Sequence, residues 1–241
     1  MEADDLRKSH PGCGVEKMYD ILKPNFMGRD RFVELFMDLG YRLKRHKNYR
    51  KTTISSNVYY PNLIKGLIIN QPSQIWQSDI TYLKVDNRFY YAVFIIDVYT
   101  RKIVGYNVSD NMRATANLNA LNMALKKHKA PLIHHSDRGS QYTYKAYTEL
   151  LIQNGSKISM SLTAQDNSYI ERFNRTIKEE YLKYWNPNSF RKLKFFIKKA
   201  VHNYNNKRTH KSLNNFCPAK YELLYKGNKQ SPTLTIFNNE F

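Results

Sequence analysis

Residues 75–108 read IWQSDITYLKVDNRFYYAVFIIDVYTRKIVGYNV. The stretch is dense in β-branched and aromatic residues and is interrupted at Asp86-Asn87 and again before Ile103. Short polar breaks between such runs predict tight connections between strands. Three strands, Ile75 to Val85, Phe89 to Tyr99 and Ile103 to Val108, are therefore expected to form an antiparallel meander. Downstream the texture alternates. Ala114 to Lys127 is spaced for a helix, with Leu118, Leu121, Met123 and Leu125; Pro131 opens a short strand from Leu132 to His135; a helix covers Tyr144 to Gln153 and ends at Gly155. A strand through Ile158 and Met160 precedes helices that begin near Ser168 and Ser189, the second with Phe190, Leu193, Ile197, Val201 and Tyr204 on one stripe. Three strands followed by alternating helix and strand specify the α/β class: a mixed sheet flanked by helices.

The first seventy residues differ in character. Val15, Met18, Tyr19 and Leu22 share a helical face, Phe32, Leu35, Phe36 and Leu39 share another, and Pro24, Asn25 and Gly28 mark the turn between them. This predicts a helix-turn-helix, closed by Gly40. The tract after it carries Arg42, Lys44, Arg45, Lys47, Arg50 and Lys51, cations suited to phosphate contact. Over 241 residues, 39 Lys and Arg face 20 Asp and Glu, a formal charge of +19 that favours a polyanionic partner. The longest apolar run, around Tyr90 to Val98, is strand-like and interrupted by Asp97, so DNA is expected as the partner and a membrane is not. Met1 to Ser9 contains no hydrophobic leader, which predicts a cytoplasmic protein, associated with the nucleoid when on DNA. Two cysteines, Cys13 and Cys217, make neither a disulfide framework nor a zinc site, and no role is assigned to them or to His10.

Three acids stand at informative places. Asp79 interrupts an apolar strand, where an unpaired charge is costly to bury. Asp137 follows Leu132-Ile133-His134-His135-Ser136, at the strand end where α/β sheets bind ligands. Glu171 has two readings: Ser168-Tyr169-Ile170-Glu171 is a capping box, and Glu171 also aligns with Arg175 and Lys178 on a helix face separate from the stripe Ile170, Phe173, Ile177 and Tyr181. Gathering three carboxylates requires a cation, since like charges about 4 Å apart repel by roughly 4 kcal/mol per pair at an effective dielectric of 20. Hard divalent ions take such oxygen ligands. Arg138, Arg175 and Lys178 read either as phosphate contacts or as surface charge, and Ser136 and Tyr142 read as packing groups rather than nucleophiles.

Trp76-Gln77-Ser78-Asp79-Ile80-Thr81-Tyr82, His135-Ser136-Asp137-Arg138-Gly139-Ser140-Gln141-Tyr142 and Asp166-Asn167-Ser168-Tyr169-Ile170-Glu171-Arg172-Phe173 resemble the three catalytic blocks of the OrfB-type transposases of the IS-three insertion-sequence family, relatives of retroviral integrases. Ile96 to Arg101 and the segment from Tyr204 to Leu213, with Arg208 and His210, extend the resemblance over nearly the whole chain. It implies a ribonuclease-H-like fold in which Asp79, Asp137 and Glu171 bind two Mg²⁺ or Mn²⁺ ions. Water would cut the element end, and the freed 3′-hydroxyl would join another DNA phosphate. The interval between Asp137 and Glu171 is two residues shorter than is usual in the family, with Asp166-Asn167 still marking the register. The expected organisation is a basic helix-turn-helix-like DNA-binding region and linker (1–70), a catalytic core (71–225) and a tail (226–241). Arg208 and His210 join the expected DNA contacts. Expected partners are the element ends, target DNA, a second copy of the chain on DNA, and an upstream-frame protein or fusion. The alternatives are a nuclease of the same fold that does not join, and a DNA-binding regulator without catalysis of its own.

Overall fold

The computed structural model describes residues 2–43, 59–225 and 234–235. Three short helices come first: α1 (Glu2–Ser9), α2 (Val15–Leu22) and α3 (Arg29–Phe36), the last continuing as a wider π-helical turn through Tyr41. A two-residue strand β1 (Ile68–Ile69) precedes β2 (Ile75–Val85), β3 (Arg88–Asp97) and β4 (Ile103–Ser109). Then follow α4 (Ala114–Leu125), β5 (Ile133–Ser136), α5 (Lys145–Gln153), β6 (Lys157–Met160) and α6 (Ser168–Thr176), which passes through a π-helical stretch, Ile177–Leu182, into α7 (Lys183–Trp185). Two helices, α8 (Phe190–Asn206) and α9 (Pro218–Tyr225), and a strand β7 (Leu234–Thr235) paired with β1 complete the described chain.

The main sheet has the order β4-β3-β2-β5-β6, antiparallel across the meander and parallel from β2 to β6. Alternation along β2 divides its side chains between two cores. Leu83 and Val85 pack on one face with Ile170, Phe173, Ile177 and Tyr181 of the α6 run and Leu193, Ile197 and Val201 of α8. Trp76 packs on the other with Ala120 and Leu121 of α4 and Tyr147 and Leu151 of α5.

The expected strands and helices are present at the expected places, and the apolar face of α3 differs from the sequence reading. On α4 the residues against the sheet are Ala116, Ala120, Leu121 and Ala124, whereas Met123 is exposed. The cause is close approach: a Cβ at Gly105 of β4 would collide with the Ala120 carbonyl and crowd Ala124, so small residues face the strand. On α3 Phe32 is buried and stacks on Phe36 at 4.1 Å, while Leu35 and Leu39 are exposed. The three helices close around Ala3, Cys13, Val15, Met18 and Phe32, so α1, which the charged N-terminal sequence does not announce, supplies part of that small core.

This helical unit is fastened to the sheet domain at the π-helical stretch. The Gly12 N–H donates to the Glu180 carbonyl at 2.5 Å, an approach that a Cβ at Gly12 would block. Asn203 Nδ2 donates to the Ser9 carbonyl at 2.6 Å, and His10 Nδ1 shares a proton with the Tyr181 hydroxyl at 2.7 Å. Beneath these contacts the Glu180 carboxylate accepts from Arg208 Nε and Nη2 at 2.7 and 2.6 Å and from Lys17 Nζ at 3.5 Å. Burial by itself would raise the Glu180 carboxyl; the Arg208 hydrogen bonds and charge, with Lys17, outweigh it and hold the carboxyl below its usual range. Because removing one member of a buried pair strands the other charge, Glu180→Gln is expected to cost about 3–5 kcal/mol in urea unfolding at neutral pH. The depressed folded value means that the carboxylate's contribution is complete above its ordinary value of 4.5 and fades as the pH falls through the folded value, so the wild-type advantage should shrink in acid.

Candidate active site

Strand register builds the first half of the site. β2 and β5 are parallel neighbours with Gln77 opposite His135 and Ser78 opposite Ser136. The next residues are Asp79 on β2 and Asp137 just past the end of β5, so the two acids emerge side by side from strands about 4.8 Å apart. Asp137 is fixed by the Gly139 N–H, which donates to its Oδ1 at 3.0 Å. Asp79 accepts from Asn174 Nδ2 at 2.8 Å.

The third acid arrives on α6, and the strand that carries Asp79 also positions that helix. Gln77, fully buried and two residues before Asp79, donates from Nε2 to the Asp166 carbonyl at 2.8 Å. Its Oε1 accepts the Tyr169 and Ile170 N–H groups at 3.2 and 3.4 Å. A side chain from the sheet thus satisfies the free amides that open every helix. Asn167 Nδ2 adds a bond to the Ser78 carbonyl at 3.1 Å, and the Arg101 guanidinium lies 3.8 Å from the centre of the Tyr169 ring. The capping box lies upstream of the one the sequence suggests: Thr163 and Asp166 bond reciprocally, and Ser168 starts α6 without a side-chain cap. Glu171 is released from that duty and is exposed, with Arg175 and Lys178 exposed on the same run.

The three carboxylates feel one another. Asp79 is pushed up to about 8, first by burial, then by Asp137 and Glu171, against the bonds from Ile80 and Asn174. Burial raises Asp137 against the pull of the Gly139 amide, and burial together with Asp137 raises Glu171 against the charge of Arg175. No group of three His, Cys, Asp or Glu side chains among the described residues closes around a point that would hold an ion. An oxygen-only donor set fits a hard divalent cation. Two further amides, Asn174 and Gln141, present buried oxygens without a hydrogen-bond partner, while their nitrogens bind Asp79 and the Met112 carbonyl. The sequence reading assigns no role to Gln77 or Asn174. Their signals are positional: two residues before Asp79 on the same strand face, and one helical turn after Glu171.

The expected DNA contacts divide. Arg42 is exposed; Lys44, Arg45, Lys47 and Arg50 lie outside the described residues. Arg138 is half-buried, with Nε donating to the Ser161 carbonyl at 3.2 Å and its guanidinium 4.8 Å from the centre of the Tyr59 ring. Arg208 and His210 require correction. The Arg208 fork is occupied by Glu180, and the His210 ring packs edge-on against Tyr204, its imidazole driven well below the ordinary value by burial and then by Arg208. Neither presents a free cation to a phosphate. Tyr142 is fully buried, its phenol pushed well above 10 by burial, and bonds Ser78 at 3.1 Å, which removes it as a nucleophile.

Comparison with known proteins extends this picture. The Integrase core domain family matches residues 69–165, and a second Integrase core domain family matches residues 156–218. A 31 kDa protein of insertion element IS600 from Shigella sonnei is 36% identical over 222 residues, covering 88% of this chain and 82% of that protein. The transposase for insertion sequence element IS629 from Shigella sonnei is 34% identical over 227 residues, 90% of this chain and 76% of its own length. Among solved structures, the HTLV-2 integrase catalytic core domain in complex with magnesium superposes with a TM-score of 0.54 at 20% identity, covering 63% of this chain and 97% of that one. A simian T-cell lymphotropic virus intasome covers 90% of this chain and 76% of its own at a TM-score of 0.57 and 15% identity. These two share the fold.

Two measurements test the geometry. Gln77→Leu leaves two amides and a carbonyl unsatisfied, at about 1–3 kcal/mol for each buried group stranded, and should lower the denaturation midpoint. In metal-free protein the raised Asp79 value means that its protonated form supports the fold at low pH and that this support is lost as the pH rises through about 8. Thermal melts from pH 5 to 9 should therefore show wild type falling relative to Asp79→Asn; parallel curves would refute the raised carboxyl.

Proposed function

The chain belongs to the integrase-core transposases of insertion sequences, polynucleotidyl transferases that act on DNA, and we propose that Asp79, Asp137 and Glu171 are its catalytic, metal-holding carboxylates. The observation that supports this most is geometric: the β2–β5 register brings Asp79 beside Asp137, and Gln77 on β2 ties down the start of α6, which carries Glu171. The family is metal-dependent. Two Mg²⁺ or Mn²⁺ ions, when bound, would supply Lewis-acid stabilisation of the attacking and leaving oxygens of phosphoryl transfer.

The protein's own residues do the rest. Gly139 and Asn174 orient the two strand carboxylates, and Gln77 and Asn167 hold the helix that carries Glu171. Arg175 and Lys178, about one and two turns beyond Glu171 on the same run, are placed to receive the phosphates flanking the scissile bond, with Arg138 beside Asp137. Residues 1–70, with Arg42, Lys44, Arg45, Lys47 and Arg50, form the region proposed to grip the element ends, residues 71–225 the catalytic core and 226–241 the tail. Two ends must be held at once, so the active species is at least a dimer on DNA, acting in the cytoplasm on element ends and target, with an upstream-frame protein as a further partner. Among the described residues no helix is long and apolar enough to cross a membrane.

Labelled duplexes carrying the element's termini, incubated with Mg²⁺ or Mn²⁺, should give nicked and strand-joined products with wild type. Asp137→Asn should lose on the order of a thousandfold or more, the scale of removing a group that supports developing charge. Cleavage without joining would identify a nuclease, and binding without metal-dependent chemistry a regulator.

A further inference from the structure

The helix α8 reads FRKLKFFIKKAVHNYNN and contains five cations and no acid. Leu193, Ile197, Ala200 and Val201 are buried against the sheet, whereas Arg191, Lys192, Lys194, Lys198 and Lys199 are all exposed. At 3.6 residues per turn the five cations fall within an arc of about 160°, and Phe195 projects from the middle of it. That phenylalanine is 61% exposed. None of the five cations has a carboxylate partner among the described residues, although the paired lysines Lys17 and Lys102 show that this fold supplies acids where it uses lysine structurally. Two of the five are extended over rings: Lys194 Nζ lies 4.6 Å from the Phe190 centroid and Lys199 Nζ 4.8 Å from that of Trp185.

We propose that the outer face of α8 is a second DNA-binding surface, separate from the carboxylate site, that takes the phosphate backbone of a duplex without regard to sequence. The proposal rests on the reading that the chain acts on DNA, and adds where a further length of duplex is held. Unpartnered cations within reach of successive phosphates, with an aromatic ring among them, match the chemistry of a nucleic-acid backbone. The ring contacts keep two ammonium groups extended, so less side-chain freedom is lost when they meet phosphate. Lys199 reaches the ring of Trp185, at the opposite end of the helical run from Glu171, so the surface lies apart from the carboxylates.

The test uses the full chain and a fluorescent duplex of arbitrary sequence, titrated from 50 to 300 mM salt. One variant carries glutamine at Arg191, Lys192, Lys194, Lys198 and Lys199. A control carries glutamine at the exposed Lys65, Lys126, Lys127, Lys129 and Lys157, the same loss of charge elsewhere. The α8 variant should bind about tenfold or more weakly near 100 mM salt, and its log–log salt slope should flatten by about one unit per phosphate contact removed. The control should change little, and metal-dependent cutting at saturating duplex should survive in the α8 variant. Equal losses in both variants, or none in the α8 variant, would overturn the proposal. So would unchanged duplex binding with loss of binding to phosphatidylserine vesicles, which would assign the face to a membrane surface. Wild type that binds no duplex would refute the DNA reading itself, separately from the α8 assignment.

Discussion

Three carboxyl groups directed to one end of the sheet are the constraint around which this chain is organised. Ionised together about 4 Å apart, each pair would cost roughly 4 kcal/mol at an effective dielectric of 20, comparable with the whole stability of a domain, about 5–15 kcal/mol. The fold can hold such a group only by attaching each acid to something that cannot retreat. Asp79 and Asp137 are set by a strand ladder whose register leaves them adjacent. Single donors, the Gly139 amide and the Asn174 carboxamide, then orient them. Neither donor neutralises a charge, and burial, the largest cause in each case, keeps all three carboxyls raised.

Glu171 poses the harder problem, because a helix is free to slide where a strand is not. Here α6 is held at both ends. Gln77 caps it from the sheet, so the element that presents Asp79 also dictates where Glu171 begins. Nine residues further, about 14 Å along the axis, Glu180 is gripped by Arg208 and Lys17. Glu180 itself lies in the π-helical stretch Ile177–Leu182, and its carbonyl accepts the Gly12 N–H. The N-terminal helices are therefore part of the support for the third carboxylate, joined to the helical run through Glu180 and to the segment after α8 through Arg208.

How much of this was legible in the sequence depends on the range of the interaction. Strands β2 to β4 were readable because alternation and turn residues are local, and the acids because a charge inside an apolar run demands a reason. Arg208 was misleading for the opposite reason: its partner Glu180 lies 28 positions away, and nothing local distinguishes a buried fork from one aimed at phosphate. The capping pattern at Ser168 was a true signal at the wrong site, since Thr163 and Asp166 make the same box a turn earlier. On α4 Gly105 and the alanines decide the buried face, because steric room overrides hydrophobic size at a close helix–strand crossing, and that approach is not written in the helix's own sequence.

An acidic site on a chain of net charge +19 also raises the question of how DNA is drawn to the one place that repels it. Screening answers it. At physiological salt the Debye length is about 8 Å, so the carboxylates repel a phosphate only at close range, and the remaining cations govern the approach. The cations that must act at short range are correspondingly near: Arg175 attracts Glu171, and Lys178 feels Asp79. Those farther away affect encounter and retention rather than chemistry. A division between near cations that place the scissile phosphate and distant ones that hold the duplex follows from the screening length alone. It requires that the basic charge be spread over the surface instead of concentrated at the acids, as on this chain, where the exposed face of α8 carries five cations and the helical run that bears Glu171 four: Arg172, Arg175, Lys178 and Lys183.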